Sequence, residues 1–135
     1  MILAMLLASG AITAELDALD RAVATCARAV VNPAFAADAG RRSAIMTETM
    51  REQEAIVAER LTIADRRRAL RETRPSGRIA IDEDQQLAMA ALALEDRQRA
   101  LNDRRMLEAM RAEAMDVKRR YFLAHCAKGT NNAQD

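Results

Sequence analysis

Cys26 and Cys126, the only two cysteines, each stand fifty positions from Ser76, the middle of the one Pro-Ser-Gly turn in the chain. A polypeptide that reverses at Pro75-Ser76-Gly77 as two antiparallel helices brings the two sulfurs together. The spacing predicts an all-α fold: a long antiparallel helical hairpin, coiled-coil-like, clasped at its open end by a Cys26–Cys126 disulfide. Packed helices stand about 8–10 Å apart, whereas a disulfide needs Cα atoms about 4.4–6.8 Å apart. Small neighbours permit the closer approach: Ala22, Ala24, Ala27 and Ala29 surround Cys26, and Ala124 and Ala127 flank Cys126.

Composition agrees with thin helix-on-helix seams. The 135 residues suffice for one domain with a small core. Much of the apolar fraction is alanine, which brings little area to a core at about 25 cal/mol per Å². Trp is absent, and Phe35, Tyr121 and Phe122 are the only aromatics. A net charge of +1 argues against a nucleic-acid surface.

Residues 1–14 read as a signal peptide. Met1 to Leu7 is an apolar run, small residues follow, and charge first appears at Glu15. Cleavage would follow Ala11 or Ala14. The run is too short to span a bilayer, which takes about 20 apolar residues. The competing reading is an apolar first turn buried in a helical core. A paired cysteine set points the same way as the leader, to a periplasmic or secreted location; the alternative is cytoplasmic. Membrane contact is then only the transient contact of the leader.

An N-terminal helix is expected over 15–31, with Leu16, Leu19, Val23, Cys26 and Val30 as its seam. Asn32-Pro33 has the chemistry of a helix start, Asn capping and Pro at the first helical position. The short helix therefore either extends one arm through a kink or packs as a third helix beyond a corner. The hairpin is expected over 32–128, turning at 74–81. The seam of its first arm runs through Met46, Met50, Val57, Leu61 and Ala64, and Glu48 with Arg51 supports its outer face. Asp82 and Gln85 open the second arm as a capping box. Leu87, Leu94, Leu101, Met115 and Phe122 keep one seven-residue register, with Glu108 as the exception. A second stripe through Leu107, Met110, Ala114, Val117 and Tyr121 broadens the apolar face. Glu95 with Arg99 and Asp116 with Arg120 are i,i+4 pairs. Gly129 is a natural cap, and 129–135 a polar tail.

No sequence pattern carries chemistry. There is no Gly-rich phosphate loop, no HExxH and no paired metal ligands. Carboxylates stand beside Arg at helical-surface spacing. The expectation is a non-catalytic protein with no cofactor, no resident metal, no small-molecule substrate and no nucleic-acid partner. Arg66, Arg67, Arg68, Arg71, Arg74 and Arg78 crowd the turn, nearly cancelled by Asp65, Glu72, Asp82, Glu83 and Asp84. They read as a salt-bridged tip, or otherwise as a site for an anionic partner. Lys118-Arg119-Arg120 before Tyr121-Phe122-Leu123 reads as dipole complementation with end-core packing, against a lipid- or protein-facing patch.

The function expected is that of a small exported structural, adaptor or chaperone-like helical protein. It acts through helix–helix contacts with a second copy (a homo-oligomer) or with a partner helix. Phe35, Met46, Met50, Met106, Met110, Met115, Tyr121 and Phe122 are its candidate interaction residues. The first alternative is a cytoplasmic coiled-coil adaptor of a larger assembly, such as a secretion or flagellar machine. The second is a metal- or redox-responsive hairpin using Cys26, His125 and Cys126.

Overall fold

A computed structural model of the chain describes residues 2–75 and 77–126, with side chains from Gly10 onward. It holds three helices: α1 (Ile2–Ala24), α2 (Arg28–Thr73) and α3 (Arg78–Cys126). No strand occurs among the described residues. The fold is all-α, and α2 packs on α3 as a hairpin. Met1, Ser76 at the turn, the Gly129 cap and the tail to Asp135 lie outside the described residues.

The turn is made by two residues in the left-handed region, Arg74 at φ 43° and Gly77 at φ 86°. Glycine takes that conformation without a Cβ clash. The Arg74 amide still bonds the Leu70 carbonyl at 3.0 Å, closing the last turn of α2. Once Gly77 has reversed the chain, nothing in Arg78-Ile79-Ala80-Ile81 opposes helix. So α3 starts four residues before Asp82, which is inside the helix rather than its cap.

The expected break at Asn32-Pro33 is found instead at Thr25-Cys26-Ala27. The Ala27 amide bonds the Ala22 carbonyl at 2.8 Å and the Cys26 amide bonds the Val23 carbonyl at 3.1 Å. Those two bonds are a Schellman stop, with Cys26 at φ 51° in the position usually held by glycine. α1 is therefore a third helix, ending at Ala24 rather than Val31. Val30 lies beyond the corner and is exposed. Pro33 is the sixth residue of α2. Its missing N–H leaves one carbonyl, that of exposed Ala29, to water, which a helix end tolerates.

The molecule divides into two compact units. One comprises the chain up to Ala44 and from Leu107 onward; the other is Ile45–Met106. The first unit has a core of Leu19, Ala22 and Val23 from α1, Val31 from α2, and Met115, Phe122 and Cys126 from α3. Leu16, Ala27, Ala34 and Phe35 pack at its edge. The second unit has a smaller core of Ile56, Leu94 and Leu101, with Ile63 against it.

On α3 the expected register holds: Leu87, Leu94, Leu101, Met115 and Phe122 are all buried. Glu108, its exception, is half-buried and paired with Arg41 at 2.9 Å. On α2 the expected seam is corrected. Met46, Met50, Val57 and Leu61 are exposed, Leu61 by 62%, and Ala64 with them. The inward rows are instead Phe35, Arg42, Thr49, Ile56, Ile63 and Leu70, and Val31, Asp38, Ile45 and Glu52, each buried or half-buried. Four of those ten positions are polar: Asp38, Arg42, Thr49 and Glu52. The seam is held by ion pairs as much as by apolar contact.

Candidate interaction surface

Each unit carries a ladder of charge along its helix contacts. In the second unit, Arg97 spans Glu52 at 3.0 Å and Glu59 at 2.7 Å. Arg104 meets both oxygens of Glu48 at 2.9 and 2.8 Å, displacing the expected Glu48–Arg51 pair. Gln53 and Gln98 exchange amide hydrogen bonds at 3.0 and 3.1 Å. In the first unit, Arg111 meets Glu15 of α1 at 2.7 Å and Asp38 of α2 at 2.7 Å. Asp38 also meets Arg42 at 2.7 Å, and Arg42 meets Asp116 at 2.8 Å. Five charges thus alternate in sign across three helices: Glu15, Arg111, Asp38, Arg42, Asp116. Asp116 is engaged there, and Arg120 reaches only its carbonyl oxygen. Lys118 pairs with Asp20 of α1.

The cations of these ladders, Arg97, Arg104, Arg111 and Lys118, recur at seven-residue spacing beside the leucine row of α3. That regularity was readable in the sequence and was missed, because a search for apolar periodicity passes over basic residues.

The pairing shifts titration in the direction geometry demands. The Arg111 guanidinium, bonded to Glu15, holds that carboxyl below its ordinary value despite partial burial. Arg42 does the same for Asp116, and Arg104 for Glu48. Arg111, Arg42 and Arg97 are raised above the ordinary arginine value, chiefly by Glu15, Asp116 and Glu59 respectively. Because the carboxyl values are lower folded than unfolded, their stabilisation is complete above the ordinary glutamate value of 4.5. It is lost as pH falls through the depressed values. Urea midpoints are therefore expected to be flat from neutrality to about pH 5 and to drop steadily below it. Added salt should lower the neutral midpoint modestly, since most partners are exposed.

Cys26 and Cys126 are disulfide-bonded, with Cα atoms 5.5 Å apart. The bridge ties the corner between α1 and α2 to the last residue of α3. Arg28 donates to the Cys126 carbonyl at 2.7 Å, capping that helix end. His125 places Nδ1 2.9 Å from the Tyr121 carbonyl, and its ring stacks on Tyr121 at 3.9 Å. The Cys126 sulfur is taken by the bridge, and no group of three metal-ligating side chains occurs among the described residues.

The candidate interaction residues separate into two sets. Met115 and Phe122 are in the core of the first unit, so they are not a surface. Phe35 is half-buried, edge-on to Phe122 at 6.1 Å, with Arg119 above its ring at 5.3 Å. Met46, Met50 and Met106 in the second unit, and Met110 and Tyr121 in the first, are exposed. The stripe expected to broaden the buried face of α3 is largely exposed: Leu107 by 41%, Met110 by 61%, Val117 by 53% and Tyr121 by 49%. Ala114 alone is half-buried.

Of the two basic groups, Lys118 and Arg119 are engaged within the chain, with Asp20 and with the Phe35 carbonyl. At the turn, the one ion pair among the described residues is Asp65 with Arg68 at 3.6 Å. An open groove lined by Arg66, Leu70, Thr73, Glu83, Gln86 and Leu87 lies in the second unit. It presents no convergent nucleophile and base. No helix is long and apolar enough to cross a membrane among the described residues. No family model, no curated protein and no solved structure matches the chain.

Proposed function

We propose that this chain is a small exported, non-catalytic helical protein, structural, adaptor or chaperone-like in kind, that works by self-association or by docking a partner helix. One observation carries the reading. A continuous stripe, Leu107, Met110, Ala114, Val117 and Tyr121, runs along α3 with four of its five side chains open to solvent. A run of exposed apolar side chains at helical spacing is the kind of face that a partner helix covers. The bridged cysteines support an oxidising compartment, in which such a bond persists. The leader supports the same route. In α1, Glu15 pairs with Arg111, and Leu16, Leu19, Ala22 and Val23 pack in the first unit; processing after Ala11 or Ala14 keeps these contacts.

Intact mass of protein recovered from its native compartment, with and without thiol alkylation, tests this. The expected species starts at Ile12 or Glu15 and takes up no alkylating agent. A full-length, doubly alkylated chain would assign it to the reducing cytoplasm and favour the coiled-coil adaptor instead.

A further inference from the structure

The stripe on α3 is self-complementary in one direction only. We infer that its occupant is a second copy of the same stripe, packed antiparallel about a two-fold axis between residues 115 and 116; this rests on the helix–helix function proposed above. Stripe residues that pack at one level across such an axis have numbers summing to 231. Leu107 then meets Ala124 of the other copy, Met110 meets Tyr121, and Ala114 meets Val117. Each contact sets a large side chain against a smaller or complementary one, as interdigitating layers require. A parallel pairing would instead set Tyr121 on Tyr121 and Ala114 on Ala114.

Charge makes the same choice. Glu113 and Arg120 lie seven residues apart along one border of the stripe, both exposed. Glu113 has no ion pair among the described residues, and Arg120 reaches only the Asp116 carbonyl oxygen. In the antiparallel arrangement like borders meet, so Glu113 of each copy faces Arg120 of the other and two reciprocal ion pairs form. In a parallel arrangement unlike borders meet, so Glu113 faces Lys118 of the other copy, a cation already engaged by Asp20, and Arg120 faces His125 rather than a carboxylate. The opposite border carries Arg111 and Lys118, cations already neutralised by Glu15, Asp38 and Asp20 of their own chain. That border opposes like charges only weakly. An interface closed by a two-fold axis stops at two copies.

Sedimentation velocity of the disulfide-intact chain over about 1–100 μM reads the result, with circular dichroism confirming helix content in every variant. The wild type is expected to be a dimer. Val117→Glu is expected to weaken dimerisation at least about a hundredfold, because it sets a carboxylate in the middle of the stripe. Glu113→Arg and Arg120→Glu each turn two attractions into two repulsions and should weaken it about tenfold. The double reversal, Glu113→Arg with Arg120→Glu, should return the dissociation constant to within about threefold of wild type. A dimer indifferent to Val117→Glu would overturn this surface and leave self-association standing elsewhere. A dimer that Val117→Glu breaks, but whose single reversals have no effect or whose double fails to restore it, would overturn the antiparallel register. A wild type monomeric throughout would overturn the second copy as occupant and the self-associating reading together.

Discussion

Replacing Arg111 by alanine is expected to destabilise the fold by about 3–5 kcal/mol, the largest effect of any single charge deletion in the chain. Its side chain is 3% exposed and it bonds acids from two other helices, Glu15 of α1 and Asp38 of α2. Asp38 is equally withdrawn, at 1% side-chain exposure. Deleting the guanidinium removes one of the two cations that compensate this buried carboxylate, and it cuts the tie to α1. The penalty is that of stranding a partner, not the worth of the pair. Accordingly, Asp38→Leu combined with Arg111→Met should recover most of the loss, and an outcome more stable than wild type is consistent with the desolvation both charges then avoid. Urea titration of the three proteins at neutral pH reads this directly. A loss below about 1 kcal/mol for Arg111→Ala would mean that the pair is hydrated and that the alternating network contributes little.

Removing the bridge is expected to cost as much or more. The closed loop spans a sequence separation of 100, and constraining the unfolded chain over that length contributes about 4–5 kcal/mol. Small domains are stable by only about 5–15 kcal/mol in total. The Cys26→Ala, Cys126→Ala protein is thus expected to unfold at a far lower urea concentration, and the first unit, whose core includes Cys126, should lose the most amide protection. Cys26 has a second role that separates two contributions. It holds φ 51°, where a side chain costs about 1–2 kcal/mol and glycine costs nothing. Cys26→Gly with Cys126→Ala should therefore be more stable than the double alanine protein by about 1 kcal/mol. Equal stability of the two would show that the corner has relaxed once the bridge is gone.

The parts of the fold that were legible are those where side-chain type and position agree. α3 buries its leucine row, so Leu87, Leu94, Leu101, Met115 and Phe122 announce the inward face. Gly77 and Pro75 announce the reversal, and the equal spacing of the cysteines about it announces their bond. α2 was illegible for a physical reason. Its inward rows carry Asp38, Arg42, Thr49 and Glu52, while Met46, Met50, Val57 and Leu61 face outward, so a rule that puts the apolar face inside selects the wrong side. Such a seam is tolerated because its acids meet the basic row of α3. Only reading the two rows together, at one period, recovers the contact.

The corner failed for another reason. Asn32-Pro33 has the composition of a helix start, yet proline is accepted on the sixth residue of α2 at the loss of one hydrogen bond. Thr25-Cys26-Ala27 has no residue that favours a left-handed stop. What holds it is tertiary: the bridge from Cys26 and the bond from Arg28 to the Cys126 carbonyl. Of the surface residues, Met110 and Tyr121 were legible as apolar at helical spacing, but not as uncovered. That depends on how broad a face α1 and α2 occupy, which spacing alone does not state.

The Cys26–Cys126 bridge is the covalent tie of the first unit, and peptide mapping without reduction tests it most directly. Trypsin releases Cys26 in the segment 22–28 and Cys126 in the segment 121–128. These two segments are expected to elute as one linked species from protein that runs as a single chain before digestion, and reduction is expected to separate them. Recovery of both segments unlinked and alkylatable, or a link found only between different chains, would contradict the bridge.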